Sequence, residues 1–136
     1  MSPVGLTKDQ GWEMGLRRTL PIGTGEAWVV LTTQPGLGYW LGHGVTPPFK
    51  KGQRYQTDEG TTGDIRSYEE GRLMRMRWQP AGWAEATTLQ IRVLPAKTGA
   101  TISIHQERLA SAEQREAMLA HWAGVMEQLE RLVTAG

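Results

Sequence analysis

A chain of 136 residues, 39% hydrophobic and 21% charged, has the make-up of one globular domain. It is too short for an eightfold βα barrel or a dinucleotide domain with a companion domain. Fifteen Lys and Arg against fourteen Asp and Glu leave a net charge of +1, and there is no Cys. No global field therefore directs the chain to nucleic acid or to a membrane surface, and disulfides, thiolate metal sites and cysteine catalysis are excluded.

The first ten residues, Met1 to Gln10, carry Lys8 and Asp9 without an apolar stretch, so they do not read as a signal peptide. No run approaches the roughly 18 apolar residues of a membrane span, and the expectation is a soluble, cytoplasmic protein. From Trp12 to Leu20 apolar and polar residues alternate, with Arg18 the exception on the apolar side, which predicts a half-buried strand. Pro21-Ile22-Gly23 breaks it. Thr24 is placed to cap a short helix with Glu26 in its first turn and Trp28 and Leu31 facing inward. Pro35-Gly36 opens a second short helix ending near Trp40, and Gly42 to Pro48 forms a loop.

Five strands are predicted next, at Gln53–Thr57, Thr62–Tyr68, Leu73–Trp78, Thr87–Leu94 and Ala100–Gln106. Their inward sets include Met74, Met76 and Trp78, then Leu89, Ile91 and Val93, then Ile102 and Ile104. Period two recurring between turns predicts an antiparallel meander, wet on one face. The last segment changes period. Ser111 and Gln114 form a capping-box pair, and Met118, Trp122, Val125, Met126, Leu129 and Leu132 follow helical spacing to about Thr134. The predicted fold class is α+β: one domain over residues 1–136, with a curved six-stranded antiparallel sheet, two short helices and a long C-terminal helix across it.

This order resembles the START-like (SRPBCC, helix-grip) superfamily, and within it bacterial proteins similar to the activator of the heat-shock-protein-90 ATPase (AHSA-type). The carriers are Leu20 through Trp28, the stretch Leu31-Thr32-Thr33-Gln34-Pro35-Gly36-Leu37-Gly38-Tyr39-Trp40-Leu41-Gly42, Gly63-Asp64-Ile65, Gly71-Arg72-Leu73 with Trp78, Gly99-Ala100-Thr101, His105 to Leu109, and His121-Trp122. The resemblance implies a long helix lying over a curved sheet with an apolar cavity between them. It also implies a superfamily containing lipid carriers, polyketide cyclases and co-chaperones, so it constrains fold more than activity.

On the residues themselves, the inward aromatic and Met side chains are either packed core or the lining of a cavity. The candidate ligand-binding set is Trp28, Trp40, Tyr55, Met74, Met76, Trp78 and Gln106 below, with Met118 and Trp122 on the helix above. Gln106 shares parity with Ile102 and Ile104, and a buried amide needs a partner from protein, water or ligand.

His43, His105 and His121 show no metal-ligand spacing, and no metal, cofactor or catalytic residue is assigned. His105 and Glu107 form a pair on one strand face. Arg66, Arg75, Arg77 and Arg92 share outward parity, partly neutralised by Asp64 and Glu107, with Tyr68 as the single aromatic expected beside them.

The favoured expectation is a binding protein for a small hydrophobic ligand. The alternatives are a polyketide cyclase- or hydrolase-like enzyme drawing on His43, Tyr55 or water held by Gln106, and a chaperone-associated or stress-response interaction module. In the last case the exposed Arg face meets a protein partner or a second copy of the chain. Nucleic acid and a membrane span are not expected.

Overall fold

The computed structural model describes residues 6–7 and 11–134, the former by backbone alone; the remainder of the N-terminal segment read above as no signal peptide lies outside the described residues. Strand β1 is Leu6–Thr7, β2 Gly11–Leu20, α1 Thr24–Thr32, α2 Gly36–Trp40, β3 Arg54–Gln56, β4 Thr62–Glu69, β5 Leu73–Gln79, β6 Thr87–Ala96, β7 Gly99–Leu109 and α3 Ala112–Thr134. The six expected strands are present, and two-residue β1 adds a seventh at one edge.

All neighbours pair antiparallel in the order β1-β2-β7-β6-β5-β4-β3. After β2 the chain crosses through α1 and α2 to the far edge. It then meanders back until β7 pairs with β2, and α3 returns over the sheet. Helix α3 packs on β2 and β7, α1 on β6 and β7, and α2 on both other helices. The helices share one face, the inner face, because the apolar stripe of α3 (Trp122, Val125, Met126, Leu129) must be covered and the inward residues of the strands are the apolar surface that covers it. Among the described residues no helix is long and apolar enough to cross a membrane.

Local chemistry explains the ends. Ser111 Oγ accepts the Gln114 N–H at 3.1 Å, and Gln114 Oε1 accepts the Ala110 N–H at 2.7 Å, the expected reciprocal cap displaced by one residue. Thr24 is not the cap of α1: Gly23 takes that position and no side chain caps it, while the Thr24 side chain lies inside the first turn.

Two irregularities set which side chains face where. The β4–β5 register shifts between Ile65 and Ser67, so Tyr68 pairs with Met74 and turns inward, where its ring meets Trp28 edge-on at 5.9 Å. The expectation of Tyr68 on the Arg face is thereby corrected: one extra residue reverses the parity. In β7, Arg108 sits at φ 66°, a left-handed conformation unusual for a residue with a Cβ, and this kink returns Leu109 to the core.

Candidate functional site

The inner face holds all nine predicted ligand-binding residues but brings only some together. Met74 and Met76 are fully buried under the helices, and Met118 packs at the core margin. Trp28 is engaged with Tyr68. Trp40 donates its indole N–H to the Leu31 carbonyl at 2.7 Å, tying α2 to α1.

Tyr55 crosses Gly63 and donates to the Arg77 carbonyl at 2.6 Å. That crossing requires glycine, because a Cβ at position 63 would run into the Arg77 carbonyl and lie 2.5 Å from the Tyr55 hydroxyl. Burial, with the charge of Asp64 second, pushes the Tyr55 pKa far up, so the hydroxyl is a donor and not a base at neutral pH.

Trp78, Gln106 and Trp122 do meet. The Trp122 indole N–H donates to Gln106 Oε1 at 2.8 Å, and Gln106 Nε2 donates to Thr87 Oγ1 at 3.0 Å. Thr87 in turn donates to the Trp78 carbonyl at 2.7 Å. Gln106 and Thr87 are buried, so this chain satisfies polar groups that would otherwise be stranded among apolar neighbours. The amide of Gln106 is thus held by protein at both ends.

The Trp78 ring lies 5.4 Å from Trp122, 5.6 Å from Trp83 in edge-on contact, and 6.4 Å from His121. Its own indole N–H is buried and finds no acceptor among the described residues. His121 stacks edge-on with Trp122 at 4.6 Å, and burial against these rings lowers its pKa, favouring neutral imidazole. Sequence reasoning did not single out Thr87 or Trp83 here. Thr87 shared inward parity with Leu89, a signal available in the alternation; Trp83 lies in the loop after Pro80, where no period applies.

At this end the expected gap is occupied by side chains, with Trp78, Trp83, His121 and Trp122 in ring contact, and three grooves lie on the opposite face. One, of about 580 Å³, is lined by Arg66, Arg75, Arg77, Thr87, Thr88 and Arg108. A second of about 400 Å³ shares Arg66 and Arg77 and reaches Arg54. A third of about 590 Å³ runs over Gly15, Arg92 and His105. Three of the four expected outward arginines, Arg66, Arg75 and Arg77, therefore line one groove, Arg54 and Arg108 extend that row, and Arg92 lies apart in the third groove.

Between these grooves Glu13, His105 and Glu107 each place a ligand-type atom within 4.8 Å of the other two. The imidazole turns Nε2 toward Glu13 at 3.8 Å and Nδ1 toward Glu107 at 3.9 Å, while Arg75 reaches Glu107 at 3.3 Å. With the carboxylates on opposite ring nitrogens and a guanidinium already on one, the arrangement suits an ion network better than a metal. Glu13 was missed because its neighbour relation depends on β2–β7 pairing.

His43 belongs to neither face. Its ring bonds the Glu59 carboxylate, which also accepts the His43 backbone N–H at 2.8 Å, latching the loop after α2 to the β3–β4 turn. These hydrogen bonds lower the Glu59 pKa from 4.5 to about 2.

The family model for Activator of Hsp90 ATPase homolog 1-like protein matches residues 25–134. No curated protein matches the chain. Solved structures do. DynU16, a protein of the dynemicin biosynthetic locus, superposes with a TM-score of 0.79 at 16% identity over 90% of this chain and 48% of its own. CalU16 from Micromonospora echinospora gives 0.73 at 16% identity over 91% and 76%, and MLL2253 from Mesorhizobium loti 0.70 at 21% over 89% and 96%. This chain spans about half the length of DynU16. At these identities the likeness is one of fold.

Proposed function

Because the chain belongs to the Activator of Hsp90 ATPase homolog 1-like family, we propose that it binds a small apolar ligand between the inner sheet face and α3. The lining is Trp28, Trp40, Tyr55, Met74, Met76, Trp78 and Gln106 from below, and Met118 and Trp122 from above. The observation that carries this reading is the unpartnered Trp78 N–H beside Trp83, His121 and Trp122. A buried donor without a partner costs about 1–3 kcal/mol, and a ligand acceptor placed there removes that cost.

The ligand is then apolar with one carbonyl or hydroxyl oxygen, and it enters by displacing Trp83 from the edge of Trp78. Met74, Met76 and Met126 suit such entry, since thioether side chains re-pack at low cost. Burial supplies most of the affinity, at roughly 25 cal/mol per Å² before the costs of association. Two of the structural neighbours, DynU16 and CalU16, share this fold, and DynU16 comes from a biosynthetic locus, which fits a small-molecule ligand.

Titration of the protein's tryptophan fluorescence with long-chain fatty acids and with polycyclic aromatic ketones tests the reading. Binding of the ketones that weakens about tenfold or more in Trp78→Phe is expected, the loss of one buried hydrogen bond. No response to either series overturns it.

The enzyme alternative draws on His43, Tyr55 and Gln106, each of which is engaged elsewhere: His43 with Glu59, Tyr55 with the Arg77 carbonyl, and Gln106 with Thr87 and Trp122. The outer face favours a second reading alongside the first, that of an interaction surface, since its arginine-lined grooves need no rearrangement to receive a partner.

A further inference from the structure

We propose that the outer face of the sheet is a docking groove for an extended acidic segment of a partner protein, running across the strands from β3 to the end of β7. The proposal rests on reading that face as an interaction surface and adds the chemistry of the partner. Its carriers are Arg54, Arg66, Arg75, Arg77 and Arg108, which line two grooves made continuous by Arg66 and Arg77.

The pairing within the row leaves cationic capacity facing outward. Asp64 holds both Arg66 and Arg77 through their Nε atoms, at 3.1 and 3.8 Å, and neither guanidinium makes an ion pair with any other carboxylate among the described residues. Arg75 is tied to Gln90 and Glu107, each at 3.3 Å. Arg54 and Arg108 make no ion pair among the described residues. Five guanidinium groups thus face two carboxylates, Asp64 and Glu107, an excess of three positive charges in a chain whose total is +1.

Guanidinium groups match carboxylates in a forked geometry that a point charge does not. The distance also fits. Five adjacent strands from β3 to β7 span four spacings, about 19 Å at roughly 4.8 Å each. An extended chain covers that length in about six residues at roughly 3.3 Å per residue.

Single-stranded nucleic acid fits less well. The residues lining the two grooves include no aromatic ring on which a base can stack, because the β4 bulge turns Tyr68 to the inner face. Asp64 and Glu107 also lie in the path of a continuous phosphate chain, whereas alternate side chains of an extended peptide can pass them. Steering by this field acts mainly on encounter rate and selectivity, so binding is expected to weaken steeply with salt.

The test is fluorescence anisotropy on the full chain with labelled hexaglutamate, hexaglutamine and hexathymidylate at low and physiological salt. Hexaglutamate is expected to bind and the other two to bind at least about tenfold more weakly, as charge complementarity requires. Arg66→Glu/Arg77→Glu is expected to abolish binding. Arg54→Gln and Arg108→Gln, which leave the Asp64 pairs intact and guard against a folding defect, each weaken it about two- to fivefold, in line with exposed charge contacts. Arg131→Glu on the outer side of α3 changes nothing.

Absence of hexaglutamate binding, or tighter binding of hexathymidylate, overturns the proposal. Sedimentation distinguishes what then remains. A dimer broken by Arg66→Glu/Arg77→Glu keeps the interaction face while replacing the acidic segment with a second copy. A monomer without peptide binding removes the face as well, and neither result bears on the inner ligand.

Discussion

Replacing Gln106 by Leu removes a side chain that joins three elements without removing much volume. In the folded protein the Trp122 N–H then lies at zero exposure with no acceptor, and Thr87 Oγ1 loses its incoming donor while keeping its own bond to the Trp78 carbonyl. A stranded indole N–H costs about 1–3 kcal/mol and the Thr87 loss about 0.5–1 kcal/mol. Burying Leu in place of the amide returns roughly 1 kcal/mol. The net expectation is a loss of about 2 kcal/mol, or roughly 6–10 °C in Tm for a domain of this size.

Urea unfolding followed by tryptophan fluorescence, with calorimetry beside it, measures the loss. Trp122→Phe supplies the partner arm of a double-mutant cycle. With the donor gone, Gln106→Leu adds little, and a coupling of about 1–2 kcal/mol is expected between the two sites. A single-variant loss below about 0.5 kcal/mol, or additive effects, would refute the assignment of Gln106 as the polar link between sheet and α3.

Gly63→Ala separates propensity from sterics: propensity in a strand favours Ala by about 0.5–1 kcal/mol, whereas the clash with the Arg77 carbonyl and Tyr55 predicts a loss of about 2–3 kcal/mol. Stability equal to or above wild type would remove the Tyr55 crossing as the reason for glycine. The Glu59–His43 latch is acid-sensitive in a definite direction. Its folded pKa of about 2 lies below the ordinary 4.5, so its contribution is complete above the ordinary value and is lost as pH falls toward 2. Protection of the His43 amide, its exchange rate taken against the intrinsic rate at each pH, is expected to fall across that window in wild type and to be low throughout in Glu59→Ala, which offers no acceptor; protection indifferent to pH in wild type would contradict the latch. Arg18 meets Glu130 at 3.5 Å with both side chains substantially solvated, so Glu130→Gln should move stability by less than about 0.5 kcal/mol in the same urea assay.

The fold was legible where one period ran uninterrupted. Met74, Met76 and Trp78 alternate with Arg75 and Arg77, and the structure buries the first set while giving the arginines to the other face. The stripe from Trp122 to Leu129 was equally plain, because its helical spacing leaves one apolar side and the sheet is the surface that can cover it. Tyr68 was misread because a bulge inserts a residue without any compositional mark. Glu13 joined His105 and Glu107 through the pairing of β2 with β7, strands adjacent in the sheet but far apart in sequence, a relation that no local window contains. Arg108 was hidden for a related reason: its left-handed backbone arises where β7 must bend between two partners, and arginine itself gives no sign of it.

The two faces of the sheet also differ in what a ligand must do to occupy them. On the inner face the donors and acceptors near Trp122 are already matched, except for the Trp78 N–H, and ring contacts with Trp83 and His121 close around it. An inner ligand therefore has to separate packed aromatic rings before it can bond, so its association is gated by that opening and its release is slow. On the outer face the arginines stand in open grooves, Arg54 and Arg108 without an ion pair among the described residues, and a partner has mainly to displace water and counterions. Association there should be fast, salt-dependent and readily reversed. Because β5 contributes Trp78 to one face and Arg77 to the other in adjacent positions, stopped-flow kinetics on one protein can read both regimes. Salt should slow the outer association and leave the inner one unchanged. Parallel salt sensitivity of both would mean that the sheet does not separate the two sites.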